Sequence, residues 1–124
     1  MKTSFETASL FPVTAGVNQA GHLVVGGCDA TRLAAEFGTP LYVFDEETLR
    51  RMCREFVGEF GSRYPDSRVV YASKAFVNPA IARLVGQEGL GLDVVSGGEL
   101  AVAESVGFPA ESIYFHGNNK TPQE

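Results

Sequence analysis

Strand-like and helix-like segments alternate along most of this chain, and that alternation limits the possible folds more than any other feature. From Leu41 onward, four short apolar runs are separated by three segments with helical periodicity and short connections. The runs are residues 41–44, 68–73, 92–95 and 113–116. Alternation at this spacing is typical of parallel strands joined by right-handed crossovers. It leaves two α/β architectures open, a (β/α)8 barrel and a doubly wound open sheet.

Capping residues predict where the helices begin. Asp45 is expected to cap a helix that carries Glu46 and Glu47 in its first turn and ends at Gly61. Apolar residues at helical spacing predict one amphipathic stripe along it: Leu49, Met52, Cys53, Phe56, Val57 and Phe60.

The next two helices carry equally clear start signals. Asn78-Pro79 predicts an N-cap followed by proline, with the helix running to about Gly89. Ser96 and Glu99 form a capping box, and that helix is expected to reach Gly107.

The first 40 residues have a different pattern. His22 to Val25 is predicted to be a short strand ending at Gly26-Gly27. Asp29 is expected to cap a short helix, which Gly38 and Pro40 end.

Composition excludes several classes of function. The formal net charge of −5 argues against nucleic-acid binding and against a polybasic membrane surface. Cys28 and Cys53 lack CxxC spacing and are expected to be reduced thiols. His22 and His116 lack companions at ligand spacing, so no metal site is predicted. With no signal peptide and no apolar run long enough to span a membrane, the protein is expected to be cytoplasmic.

Lys74 is the leading candidate for chemistry, since it ends an apolar strand-like run. The carboxyl ends of parallel strands form the active face of α/β folds, and partial desolvation there helps a lysine to form an imine. The alternative is a lysine whose stem lies on the sheet while its amine reaches solvent.

Asp93 and His116 occupy comparable positions on the next two strands. Asp93 could pair with an iminium or be held by backbone amides, and His116 could contact a cofactor or simply belong to a loop. Asn118, Asn119 and Lys120 extend this polar set, as ligand-binding residues or as a turn.

Three ordered motifs resemble the diaminopimelate decarboxylases, which depend on pyridoxal 5'-phosphate (PLP). They are residues 71–76 (YASKAF), 91–100 (GLDVVSGGEL) and 113–120 (IYFHGNNK), with 38–45 (GTPLYVFD) as a lead-in. The resemblance covers roughly residues 29–124. It implies that Lys74 binds PLP and is catalytic, with Asp93, His116 and Asn118 as further cofactor-binding residues.

The same resemblance implies the fold and the domain organisation. Residues 41–124 would be the N-terminal portion of an alanine-racemase-like PLP-binding (β/α)8 barrel, and residues 1–40 would associate with a second, β-rich domain. The implied substrate is a small amino acid, meso-diaminopimelate, decarboxylated to L-lysine by a homodimer. Residues 121–124 (TPQE) give a helix start signal, and a full barrel needs about 250 residues. The chain is therefore expected to be an N-terminal fragment that is inactive alone.

Other members of the same fold remain open, namely ornithine, arginine and carboxynorspermidine decarboxylases. Alanine racemase fits less well, because the residues after Lys74 differ from its motif. An alternative of another class is a non-catalytic PLP carrier of cofactor homeostasis. Such carriers are short barrels without the β domain, which the N-terminal 40 residues disfavour.

Overall fold

The computed structural model describes residues 10–123, which divide into two compact units, one up to Arg51 and one from Met52 onward. The first unit holds an antiparallel sheet of β1 (Gly16–Val17), β2 (Leu23–Val25) and β3 (Cys28–Asp29). Gly26 and Gly27 both have positive φ, as the tight turn between β2 and β3 requires. The strand predicted at residues 22–25 is confirmed, whereas β1 and β3 are too short for their pattern to be seen in the sequence.

Helix α1 (Ala30–Phe37) follows β3 and begins where the sequence predicts. The Asp29 carboxylate accepts hydrogen bonds from the backbone N–H and the hydroxyl of Thr31 at 2.9 and 2.7 Å. Its second oxygen lies 2.9 Å from His22 Nδ1. The Thr31 hydroxyl, with His22, holds the pKa of Asp29 far below its usual value. The cap therefore stays charged and joins the residue before β2 to β3 and α1.

The prediction of a strand at residues 41–44 is wrong. This segment has no regular secondary structure, and all four of its side chains are exposed. A strand needs a neighbour to bind its backbone N–H and C=O groups. Among residues 10–123, both sheets are formed by other segments. With no neighbouring strand among the described residues, this apolar run has no regular secondary structure.

Helix α2 (Glu46–Arg63) begins at a buried carboxylate. Asp45 accepts hydrogen bonds from the Thr48 N–H at 2.9 Å and from the hydroxyls of Thr48 and Thr14 at 2.5 and 2.7 Å. Burial raises the pKa of Asp45, but the bonds from Thr48 and Thr14 outweigh it and hold the pKa below its usual value. The Thr14 hydroxyl also accepts the Gly26 N–H at 2.7 Å, which ties the β2–β3 turn to the helix start.

The helix itself is confirmed, but its apolar stripe is not buried. Leu49, Cys53 and Val57 are half-buried, whereas the other three stripe residues, Met52, Phe56 and Phe60, are exposed. No helix among residues 10–123 is long and apolar enough to cross a membrane.

The second unit is a parallel sheet in the order β4 (Val70–Ala72), β5 (Gly91–Val94), β6 (Ile113–Phe115). Helix α3 (Pro79–Gln87) connects β4 to β5, and α4 (Gly97–Ser105) with a 3-10 turn (Ala110–Ser112) connects β5 to β6. The predicted alternation of parallel strands and helices is thereby confirmed from residue 70 onward.

Both connecting helices begin as the sequence predicts. The Asn78 side chain accepts the Ile81 N–H at 2.9 Å, and the Ser96 hydroxyl accepts the Glu99 N–H at 3.3 Å. The Glu99 carboxylate accepts the N–H of Val95, one residue before the cap, at 3.0 Å. This arrangement extends the capping box into the strand end.

The core of this unit lies between the helices and one face of the sheet. Leu92 and Val94 of β5 are completely buried. Phe108 closes the core against α3, where a Cβ at Gly86 would lie 2.8 Å from its ring. The remaining buried apolar residues are Ile81, Ala82, Leu84, Val85, Leu90 and Ala103.

The Asp45 cap can be tested by the variant Asp45→Ala. Loss of an N-cap carboxylate costs about 1 kcal/mol, so the first turn of α2 should open more often. We expect the amides of Thr48 and Leu49 to exchange about 5- to 10-fold faster with deuterium. Asp66→Ala, which removes an exposed loop carboxylate, is the matched control. Equal exchange in the two variants would show that Asp45 does not stabilise the helix start.

Candidate functional site

The carboxyl edge of the parallel sheet gathers the candidate residues. Lys74 lies two residues beyond the end of β4, Asp93 lies within β5, and His116 directly follows β6. Residues 73–75 form a turn, so Lys74 stands on a reversal of the chain. The strand ends that the sequence singles out therefore lie side by side.

Asp93 lies on the sheet face opposite the helices. Its strand neighbours Leu92 and Val94 are fully buried under the helices, whereas Asp93 is half-buried. Side chains alternate along a strand, so Asp93 shares its face with Gly91. A Cβ at Gly91 would lie 3.0 Å from a methyl of Val70 and 3.5 Å from the Tyr114 ring. These two side chains are exposed, so this face is open among residues 10–123.

The strand register sets the spacing of the site. Ala72 pairs with Asp93, and Asp93 pairs with Tyr114. Lys74 and His116 therefore each lie two residues beyond a direct neighbour of Asp93. Parallel strands are about 4.8 Å apart, which puts the flanking strands about 10 Å from each other. Within the described part of the chain, the side chains of Lys74, Asp93 and His116 make no hydrogen bond or ion pair with one another.

Backbone hydrogen bonds to β5 fix the residues beside Lys74 and His116. The Ser73 N–H donates to the Asp93 carbonyl at 2.9 Å, and the His116 N–H donates to the Val94 carbonyl at 2.9 Å. The ladder thus continues past the ends of β4 and β6. The positions of both flanking segments follow from the central strand.

The two lysines in residues 10–123 have different environments. Lys120 Nζ donates to the Phe115 carbonyl at 2.5 Å and lies 4.8 Å from the centroid of the Phe115 ring. Lys74 is exposed, and its amine makes no hydrogen bond or ion pair within the described residues. Within residues 10–123, Lys74 is therefore the lysine whose amine is not engaged by another group.

Asn118 is exposed in the loop after His116 and makes no side-chain hydrogen bond to any described residue. The structure places it near the same edge of the sheet through its loop alone. Lys120, which bonds back to Phe115, closes that loop.

Two features near Lys74, one at Tyr71 and one at Ser73, could not be predicted from the sequence. The Tyr71 hydroxyl donates to the Phe76 carbonyl at 2.6 Å, across the turn that carries the lysine. Ser73 is 2% exposed, and its hydroxyl has no hydrogen-bond partner among the described residues. Neither feature has a signal in the sequence, because both depend on how the turn folds back.

Comparison with known proteins identifies the family. The model of the pyridoxal-dependent decarboxylase family, pyridoxal binding domain, matches residues 46–124. The chain belongs to this family. The match includes Lys74, Asp93 and His116 and begins at the first residue of α2. The matched residues have the α/β fold described above, and the family is one that depends on pyridoxal.

Curated relatives confirm the resemblance stated from the motifs. The chain is 52% identical over 111 residues to the diaminopimelate decarboxylase of Bacillus subtilis, matching 90% of this chain and 25% of the relative. It is 46% identical over 125 residues to that of Synechocystis, covering 94% of this chain and 27% of the relative. The chain thus spans about a quarter of the length of these relatives.

A solved structure supports the fold. The crystal structure of AQ1208 from Aquifex aeolicus matches with a TM-score of 0.73 and 37% identity, over 90% of this chain and 27% of that one.

Among residues 10–123, no group of three or more His, Cys, Asp or Glu side chains could hold a metal ion.

The buried Ser73 hydroxyl gives a stability prediction. Burying a hydroxyl without a hydrogen-bond partner lowers the free energy of unfolding. Ser73→Ala should therefore leave the free energy of unfolding unchanged or raise it by at most about 1 kcal/mol, and the thermal midpoint should stay the same or rise. Ser96→Ala makes the same chemical change at an N-cap and should cost about 1 kcal/mol. Thermal unfolding of both variants in one buffer makes the comparison. A midpoint for Ser73→Ala below that of the wild-type protein, measured in the same buffer, would contradict the prediction.

Proposed function

We propose that this chain is the N-terminal part of a PLP-dependent diaminopimelate decarboxylase in which Lys74 binds the cofactor. The observation that carries the proposal is the Lys74 amine, which no described residue engages, at the carboxyl edge of a parallel sheet beside Asp93. The relatives are diaminopimelate decarboxylases, which supplies diaminopimelate as the substrate and decarboxylation as the reaction. The isomer that we propose is meso-2,6-diaminopimelate, which would lose CO2 to give L-lysine.

The residues present fit this cofactor. PLP bonds to enzymes through its aldehyde, which requires the primary amine of a lysine. Within residues 10–123, the Lys74 amine makes no hydrogen bond or ion pair, whereas the Lys120 amine donates to the Phe115 carbonyl. When bound, the cofactor supplies an electron sink for cleavage of the bond to the carboxylate carbon.

Asp93 and His116 complete the proposed edge of the site. Asp93 is half-buried on the face that it shares with Gly91. From there its carboxylate can stabilise a positive charge on Nζ of Lys74. His116 follows β6 on the other side of Asp93, where it can contact the cofactor. Asn118, in the loop after His116, is proposed as a further cofactor-binding residue.

The open face of the sheet supports a closed barrel in the full-length protein. β4 and β6 each have one paired edge within residues 10–123, and the exposed side chains of Val70 and Tyr114 lie on the face without helices. A (β/α)8 barrel covers such a face with the side chains of further strands. We assign residues 41–124 to this barrel and residues 1–40 to association with a β-rich domain. The full-length enzyme is proposed to be a cytoplasmic homodimer.

Substrate choice can be tested on the full-length protein that carries this segment. We expect PLP-dependent CO2 release from meso-diaminopimelate, with kcat/KM at least about 100-fold higher than for ornithine or arginine, a difference worth about 2.7 kcal/mol. Faster CO2 release from ornithine, arginine or carboxynorspermidine would show that diaminopimelate is not the preferred substrate. Bound PLP without CO2 release from any of them would favour the non-catalytic carrier.

The role of Lys74 has a direct chemical test. Borohydride reduction of the holoprotein fixes the bond between the cofactor and its lysine, and peptide mass spectrometry then locates the label. We expect the label on Lys74 and none on Lys120. Lys74→Ala should lose the label and lower kcat by more than about 100-fold, whereas Lys120→Met should keep the label on Lys74. A label on any other lysine would refute the assignment.

A further inference from the structure

The position of Lys74 depends on a short turn between β4 and α3. Residues 73–75 form this turn, and the Ala75 N–H donates to the Ala72 carbonyl at 3.1 Å. The Lys74 side chain makes no hydrogen bond or ion pair within the described residues. Among the described contacts, those of the turn backbone therefore fix the point from which the Lys74 side chain extends.

The incoming side of the turn is attached to the sheet. The Ser73 N–H donates to the Asp93 carbonyl at 2.9 Å, which extends the β4–β5 ladder by one residue. This bond fixes the residue just before Lys74. It does not restrain the residues that leave the turn toward α3.

The outgoing side is held by a side chain. The Tyr71 hydroxyl donates to the Phe76 carbonyl at 2.6 Å, a short bond between residues on opposite sides of Lys74. Tyr71 pairs with Leu92 in the middle of the sheet, so its ring starts from a fixed backbone. The bond closes residues 71–76 into a loop with the lysine near its apex.

Tyr71 is a suitable donor for this bond at physiological pH. Burial raises the pKa of the Tyr71 phenol, and the nearby Cys53 thiol adds to the rise. The hydroxyl therefore keeps its proton, since even an unperturbed tyrosine titrates near pH 10.

From these contacts we infer that Tyr71 is a positioning residue for Lys74: its hydroxyl, bonded to the Phe76 carbonyl, holds the turn in the conformation that presents the amine to the cofactor. The inference rests on the proposed function, which makes Lys74 the cofactor lysine. On this inference Tyr71 acts through the backbone of the turn, because it shares the helix-covered face of the sheet with its strand partner Leu92. Its contribution is to reduce the conformational freedom that Lys74 would otherwise lose on bonding.

The variant Tyr71→Phe tests the inference in the full-length protein, because it keeps the ring and removes the donor. A lost neutral hydrogen bond corresponds to about a 3- to 10-fold change in an equilibrium constant. We expect the Ala75 amide, which donates to the Ala72 carbonyl, to exchange faster by about this factor in the apoprotein. We also expect the dissociation constant for PLP, measured by equilibrium dialysis, to rise about 3- to 10-fold.

The matched control is Tyr64→Phe, which removes an exposed hydroxyl from the same unit. It should change neither the exchange of the turn amides nor the dissociation constant. Thermal unfolding of the apoproteins reports on the fold, and its midpoint should be the same within about 2 °C for both variants.

The outcomes distinguish the proposed function from the inference about Tyr71. If wild-type protein does not bind PLP at Lys74, the proposed function fails, and this inference fails with it. If wild-type protein binds PLP at Lys74 but Tyr71→Phe leaves its dissociation constant unchanged, only the inference is overturned. Faster exchange in the turn together with weaker PLP binding, at an unchanged midpoint, supports it.

Discussion

Burial of the central strand is the constraint on which the second unit depends. Leu92 and Val94 lie on one face of β5, completely covered by the helix side of the sheet, and they fix which face Asp93 occupies. A one-residue slip of β5 would bury the Asp93 carboxylate under the helices and expose two apolar side chains. The register with β4 and β6 is therefore strongly determined, and with it the places of Ser73 and His116, whose amides bond to β5 carbonyls.

The sequence was most informative where a single residue type has a specific backbone role. The caps at Asp29, Asn78 and Ser96 were predicted because each side chain satisfies amides of its own helix, which requires no distant partner. The prediction of a strand at residues 41–44 was wrong for the opposite reason. A strand exists only with a neighbour, and an apolar run does not show whether that neighbour is present.

The same distinction applies to the candidate site. Lys74, Asp93 and His116 could be selected from the sequence because the ends of parallel strands meet at one edge. The bond from Tyr71 to the Phe76 carbonyl could not, since it depends on the path of the turn between them. The unpartnered hydroxyl of Ser73 was equally invisible, because a serine after a strand is usually exposed to water.

The contact between Lys120 and Phe115 has a consequence for how an aldehyde selects its lysine. Of the two amines in residues 10–123, one is unengaged and the other is held by a carbonyl and by the face of an aromatic ring. An electrophile that reaches this loop would have to displace those contacts before it bonds to Lys120. The contacts of Lys120 therefore favour attachment at the unengaged amine, in keeping with the proposal for Lys74.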